Sequence, residues 1–245
     1  MEDLPLIIIA ATFVIAGLVK GVIGLGLPTI TLAALTVALD LPQAMALLLI
    51  PSFVTNLWQG VVGGNLVLIL RRLWPFLVPA VLLVWVGGLI FAKVDHRLMT
   101  LLLGVLVAVY AALNLAGIRL TLSRAQETWA GPVLGIANGV LTGMTGSFVM
   151  PGVMFLQAIG LSRDVLVQAM GVLFTLSTLA LAVALQGGGM LSADLGLVSL
   201  AGVVPALVGM VLGQKVRKRL SEALFRKVFF WALLALGLYI IANAL

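Results

Sequence analysis

The chain has 245 residues, 63% hydrophobic and 9% charged, with a net charge of +6 and a mean hydropathy of +1.28. A water-soluble domain of this length cannot bury so much apolar surface, so the composition predicts a polytopic membrane protein with almost no mass outside the bilayer. The absence of cysteine excludes disulfides, thiolate metal sites and cysteine nucleophiles; the basic residues sit in short loops between apolar runs, which positive-inside topology explains more simply than nucleic acid does.

The chain opens M-E-D-L-P-L-I-I-I-A, acidic and without a basic n-region or an A-x-A site, so it reads as a first membrane segment and not as a removed signal peptide. On the scale of roughly 20 apolar residues per crossing, long segments follow at 5–39, 43–62, 73–92, 98–117, 131–160, 166–186, 195–213 and 226–244. Two of them, 5–39 and 131–160, exceed one crossing, and both hold several glycines with a proline. The first contains G-L-V-K-G-V-I-G-L-G-L-P-T, in which Lys20 is the first basic residue of the chain.

The two long segments each open one half of an internal repeat. G-L-V-K-G at Gly17–Gly21 matches G-I-A-N-G at Gly135–Gly139, L-P-Q-A-M ending at Met45 matches L-V-Q-A-M ending at Met170, and V-P-A-V from Val78 matches V-P-A-L from Val204. The expected organisation is a first membrane repeat at 1–118, a polar connecting loop at 119–130 and a second repeat at 131–245. If each long segment crosses once, nine basic residues fall on one side and four on the other. If each is a hairpin returning to its starting side, Arg71, Arg72, Arg119, Arg124, Arg163, Lys215, Arg217, Lys218, Arg219, Arg226 and Lys227 share one side, against Lys93 and Arg97. Eleven against two is the cleaner positive-inside bias. The fold expected is therefore all-α, with two inverted repeats, each opening with a broken or re-entrant helical hairpin.

Backbone that leaves its helix inside a bilayer must line a cavity or be buried in protein. Broken segments at matching places in two halves are the best sequence pointer to a transporter's substrate site. The candidate site residues are Lys20, Gly21, Gly24, Gly26 and Thr29 in the first break, and Asn138, Gly139, Thr142, Gly143, Thr145, Gly146 and Ser147 in the second. The helix resuming after a break presents free N–H groups and a positive dipole end, which suits an anion. Lys20 adds a full charge, although snorkelling to headgroups would also account for it, and close helix packing would account for single glycines. Gln43 and Gln168 occupy equivalent repeat positions and complete the candidate set, as ligand donors or as satisfiers of backbone at a helix start. Asn56, near Ser52 and Thr55, is a weaker candidate. Asp40 and Asp164 read as helix-start residues, His96 as a loop residue, and the five tryptophans as interface anchors.

No H-E-x-x-H, G-x-S-x-G or G-x-x-x-x-G-K-[ST] motif occurs, so neither an intramembrane hydrolase nor an ATP-driven pump is expected. No cofactor or metal is called for. No acidic residue lies deep in a predicted span, which leaves a proton relay without a carrier. An inside-negative potential expels anions at about 2.3 kcal/mol per charge per 100 mV, so export needs no coupling ion.

Two Gly-rich broken segments, each followed by a helix beginning P-Q-A-M or V-Q-A-M, resemble the sulfite exporter TauE/SafE family of membrane permeases over essentially the whole chain. The resemblance implies a multi-pass transporter of the cytoplasmic (inner) membrane whose partners are the lipid bilayer and a small sulfur-containing anion, such as sulfite or an organosulfonate. It carries the family's first Gly-rich motif onto Gly21, Gly24, Gly26 and Pro28, and the second onto Gly139, Gly143, Gly146 and Pro151. Both depart from the usual run of adjacent glycines. A transporter of a cation or neutral metabolite on the same fold, and a non-transporting membrane scaffold, are the alternatives.

Overall fold

The computed structural model describes residues 3–217 and 221–245; Lys218 and Arg219, counted above among the basic residues of one side, lie outside them. Among the described residues the chain forms helices and no strand. In chain order they are α1 (Asp3–Ile23), α2 (Leu27–Ala38), α3 (Leu41–Val61), α4 (Leu66–Phe91), α5 (His96–Leu115), α6 (Arg124–Thr145), α7 (Gly152–Ala158), α8 (Arg163–Gly187), α9 (Ala193–Ala201), α10 (Val203–Arg217) and α11 (Glu222–Ala244). Among the described residues, seven stretches are long and apolar enough to cross a membrane: most of α1, then α3, α4, α5, α8, the α9–α10 run, and α11 from Ala223. The protein is an all-α, multi-pass membrane protein. Both over-long segments are broken, α1 from α2 at residues 24–26 and α6 from α7 at residues 146–151.

Helix starts follow the acids. Asp40 precedes α3, and Asp95 is the N-cap of α5, accepting from the Arg97 N–H at 2.8 Å. Glu127, Asp164 and Asp194 lie in the first turns of α6, α8 and α9. Negative charge at those ends offsets the helix dipole. The apolar run 131–160 suggested a later start for the sixth helix. It begins instead at Arg124, because Ser123 and Gln126 form a capping box in which each side chain binds the other's backbone N–H. Likewise α4 starts at Leu66, so Arg71 and Arg72 are helical and not loop residues.

The helices form two compact units. The first holds the chain up to Pro51, Asp95–Ile118 and Leu191–Leu245; the second holds Ser52–Val94 and Arg119–Met190. In the first unit α1 packs on α10 and α5 on α11; in the second α4 packs on α6 and α8. The α1–α10 and α6–α4 pairs use one design. A Cβ on Gly17 or Gly21 would strike the carbonyls of Ala206 or Met210, and one on Gly213 that of Leu18. In the second unit a Cβ on Gly139 would sit 2.7 Å from the Ala80 carbonyl oxygen, while one on Gly143 or Gly87 would strike the carbonyl of Val84 or Val140. Backbones in contact leave room for glycine alone, the small-residue packing by which helices associate in lipid. The duplicated contacts match Gly17 with Gly139 and Gly21 with Gly143. The sequence match of Gly17–Gly21 to Gly135–Gly139 is thus one helical turn out of register, because the glycines of α6 recur every four residues and permit either alignment.

Within the first unit, Pro51 lies inside α3 and cannot donate to the Leu47 carbonyl one turn back. Ser199 of α9, 1% exposed, supplies what is missing: its hydroxyl donates to the Leu47 carbonyl at 2.8 Å and accepts from the Ile50 N–H at 3.2 Å. Unsatisfied backbone is costly in lipid, so this bond permits the proline.

Candidate functional site

The first break lies within the first unit. Helix α1 ends as Gly24, at φ 79°, turns its N–H back to the Lys20 carbonyl at 2.8 Å. That left-handed geometry needs glycine. Gly26 then precedes α2 without a side-chain cap, and Pro28 sits in the first turn. The opening N–H groups of a helix have no partner within it, and here the preceding residue brings no side chain to them. Lys20 stands in the last turn of α1 and is 4% exposed. At that exposure its side chain is buried in protein. Thr29 is buried in the first turn of α2, and Val19 and Phe229 close over Gly26. Lys20, Gly24, Gly26 and Thr29 therefore lie along one short stretch, buried except for the half-buried Ile23 and Gly24. Gly21 belongs to the α1–α10 contact described above.

The second break lies within the second unit and is tied down by its own side chains. Gly146, at φ 72°, ends α6 with its N–H on the Thr142 carbonyl at 2.7 Å, the counterpart of Gly24. The Thr142 hydroxyl donates to the Ser147 carbonyl at 3.0 Å. Thr145 donates its hydroxyl to the Leu141 carbonyl at 2.7 Å and accepts the Ser147 N–H at 3.2 Å. Asn138, fully buried, accepts the Gly152 N–H on Oδ1 at 2.9 Å and so fixes the start of α7. Its Nδ2 is buried with no hydrogen-bond partner among the described residues. Phe148 anchors the loop against Phe174, ring centroids 5.8 Å apart. Gly139 and Gly143 face α4 and serve the close approach of the two helices. In the glycine register Lys20 of α1 corresponds to Thr142 of α6, so a basic side chain in one half answers a hydroxyl in the other.

The two glutamines do different work. Gln43 is partly exposed and turned onto Asp40, which accepts its backbone N–H at 2.7 Å and its Nε2 at 2.9 Å. Gln168 is 1% exposed: Nε2 donates to the Gly60 carbonyl at 2.9 Å and Oε1 accepts the Asn65 N–H at 3.0 Å. It thereby binds the α3–α4 turn to α8. Nearby, Gln59 donates to the Val167 carbonyl at 2.7 Å. Asn56 is fully buried, His96 is exposed at the start of α5, and all five tryptophans are exposed, as lipid-interface residues are.

A third polar feature escaped the sequence reading. Arg72 donates Nε and Nη2 to the two carboxylate oxygens of Glu127, each at 2.8 Å, and Nη2 also to the Ile159 carbonyl at 2.8 Å. This fork joins α4, α6 and the end of α7. The hydrogen bonds from Arg72 hold the Glu127 carboxyl below its ordinary range. The signal was present in the spacing: a capping box starting a helix puts Glu127 on its first turn.

No curated protein and no solved structure matches the chain. The family model described as Sulfite exporter TauE/SafE matches residues 9–240. With nearly the whole chain matched, and two interrupted helices opening its two halves, the protein belongs to the sulfite exporter TauE/SafE family of membrane transporters.

Proposed function

We propose that this chain exports a small sulfur-containing oxyanion, sulfite or an organosulfonate, across the cytoplasmic membrane by alternating access of two inverted repeats. The observation that carries the reading is Lys20, buried in the last turn of α1 directly before a break and an uncapped helix start. A lysine kept inside a membrane protein is costly and marks a functional position, and helix N–H groups after a break favour an anion. Lys20 neutralises the anion, and the backbone from Gly21 to Gly26, with Thr29, meets its oxygens. In the second break the buried Asn138 Nδ2 is a donor without a partner among the described residues. Gly139, Thr142, Gly143, Thr145, Gly146 and Ser147 give that break its shape, as Gln43 and Gln168 do for the helices that follow. Repetition of one glycine contact design in both units supports a duplicated architecture.

The driving force is the membrane potential, about 2.3 kcal/mol per charge per 100 mV outward for an anion. All eight acidic residues stand at helix starts or outside the described residues, which leaves export without a coupling ion as the simplest energetics. The test is flux of labelled sulfite and of small sulfonates in proteoliposomes under an imposed potential, for the wild type and Lys20→Met. Saturable, potential-driven flux is expected, falling at least about tenfold in the variant, or about 1.4 kcal/mol. Unchanged flux in Lys20→Met removes that residue from the site. No flux of any anion overturns the transport reading.

A further inference from the structure

The Arg72–Glu127 fork sits in the wall of two hollows in the second unit that none of the transport residues line. One, of about 320 Å³, runs between α4 and α6 and is lined by Leu73, Phe76 and Phe155, the two phenyl rings tilted at 32° with centroids 4.7 Å apart. The other, of about 640 Å³, is lined by Val67, Leu68 and Arg71; Arg72 and Arg124 belong to both. Three guanidinium groups against one carboxylate leave the cluster with two excess positive charges. Arg72 is fixed by its three hydrogen bonds. Arg124, its side chain 74% exposed and 3.4 Å from Glu127, stands at the rim, and Arg71 is exposed without a carboxylate partner among the described residues.

From these features we infer that the cluster binds the phosphate of an anionic phospholipid, with an acyl chain lying along the apolar wall. The depth is right. From Leu73 to Phe91 α4 runs about 28 Å at 1.5 Å per residue, the thickness of a hydrocarbon core, so Arg71 and Arg72 stand at headgroup level. Trp74 and Trp129, 61% and 62% exposed on α4 and α6, mark the same level as an aromatic belt would. On the core side of that level α4 exposes Val78 and Leu82, 47% and 64%, apolar surface that a small free anion does not require and a lipid tail covers. Arginine pairs with phosphate through two parallel hydrogen bonds, and basic pockets between membrane helices hold anionic headgroups.

The test uses the full chain, delipidated in dodecyl maltoside, with native mass spectrometry counting retained dioleoylphosphatidylglycerol or dioleoylphosphatidylcholine. The phosphatidylglycerol is expected to bind at least about tenfold more tightly, as the pairing of two arginines with phosphate requires. That preference is expected to vanish in Arg71→Gln/Arg124→Gln, which keeps the Arg72–Glu127 fork. Equal binding of the two lipids, or a preference that survives the double variant, overturns the site. Displacement of the lipid by millimolar sulfite or inorganic phosphate also overturns it, in favour of a small-oxyanion site. Gly131→Leu gives an arm that leaves every charge in place, since it fills the smaller hollow: phosphatidylglycerol binding is expected to weaken, and binding at wild-type strength removes the cavity from the account.

Discussion

Ser199 and Glu127 each satisfy a polar group that belongs to another helix. The hydroxyl of Ser199 answers the carbonyl left open by Pro51 on another helix. Ser199→Ala is expected to cost about 1–2 kcal/mol, between the usual worth of an interhelical bond in membranes and the penalty of a stranded buried carbonyl. Pro51→Ala restores an N–H at residue 51, so the loss is expected to shrink in the double variant, read from unfolding in mixed detergent; an undiminished loss refutes the pairing. Glu127 gives a pH dependence. Its folded carboxyl ionises more readily than the unfolded one because Arg72 donates to it. Its stabilisation is therefore complete above the ordinary glutamate range, about pH 4.3, and is lost as pH falls through the lowered folded value. Melting temperatures against pH are expected to converge for wild type and Glu127→Gln at the acid end; a constant gap argues against the ion pair.

At the scale of elements, the α1–α10 and α6–α4 contacts depend on the absence of Cβ atoms. Gly143→Ala places a methyl group against the Val84 carbonyl and is expected to destabilise by roughly 1–3 kcal/mol, as overpacking does. Gly196, in α9, has open space around its Cα, and Gly196→Ala is expected to be neutral or stabilising by up to about 1 kcal/mol. Comparable thermal shifts in the two variants contradict the packing account. The glycine spacings G-x-x-x-G at Gly17–Gly21 and Gly209–Gly213 were visible in the sequence, yet spacing alone did not say which helix each would meet. Helix ends were less legible. The apolar run 195–213 reads as one segment, whereas α9 stops at Ala201 and α10 begins at Val203. Pro205 has no N–H for the Ala201 carbonyl, and the ring of Phe13 occupies the place of a Cβ at Gly202.

At the scale of the whole molecule, the inverted arrangement is open to a direct experiment, helped by the absence of cysteine. With each broken segment returning to its starting side, Arg119→Cys and Ser162→Cys label from the same, cytoplasmic side with an impermeant maleimide, and Lys93→Cys from the opposite side. Labelling of residues 119 and 162 from opposite sides means that the second long segment crosses once, and the inverted reading falls. The two compact units each draw helices from both halves of the chain. Contacts between halves are thus built into each unit, and single-half fragments are expected to lack the α1–α10 and α6–α4 interfaces.

Composition, apolar run length and the paired Gly-Pro interruptions determined the solvent, the class and the positions of both broken helices, since lipid permits few backbone solutions. The family resemblance rested on the same residues. Tertiary structure decided what local pattern leaves open. It set the register of the repeat, because glycines every fourth residue allow several alignments and facing carbonyls allow one. It buried Lys20, and it committed both polar atoms of the Gln168 amide to backbone partners on the α3–α4 turn. It also gathered Arg71, Arg72, Arg124 and Glu127 around two hollows that share Arg72 and Arg124. The partners of Gln168 and Arg72 are packed neighbours 108 and 55 residues away along the chain, beyond the reach of any local pattern.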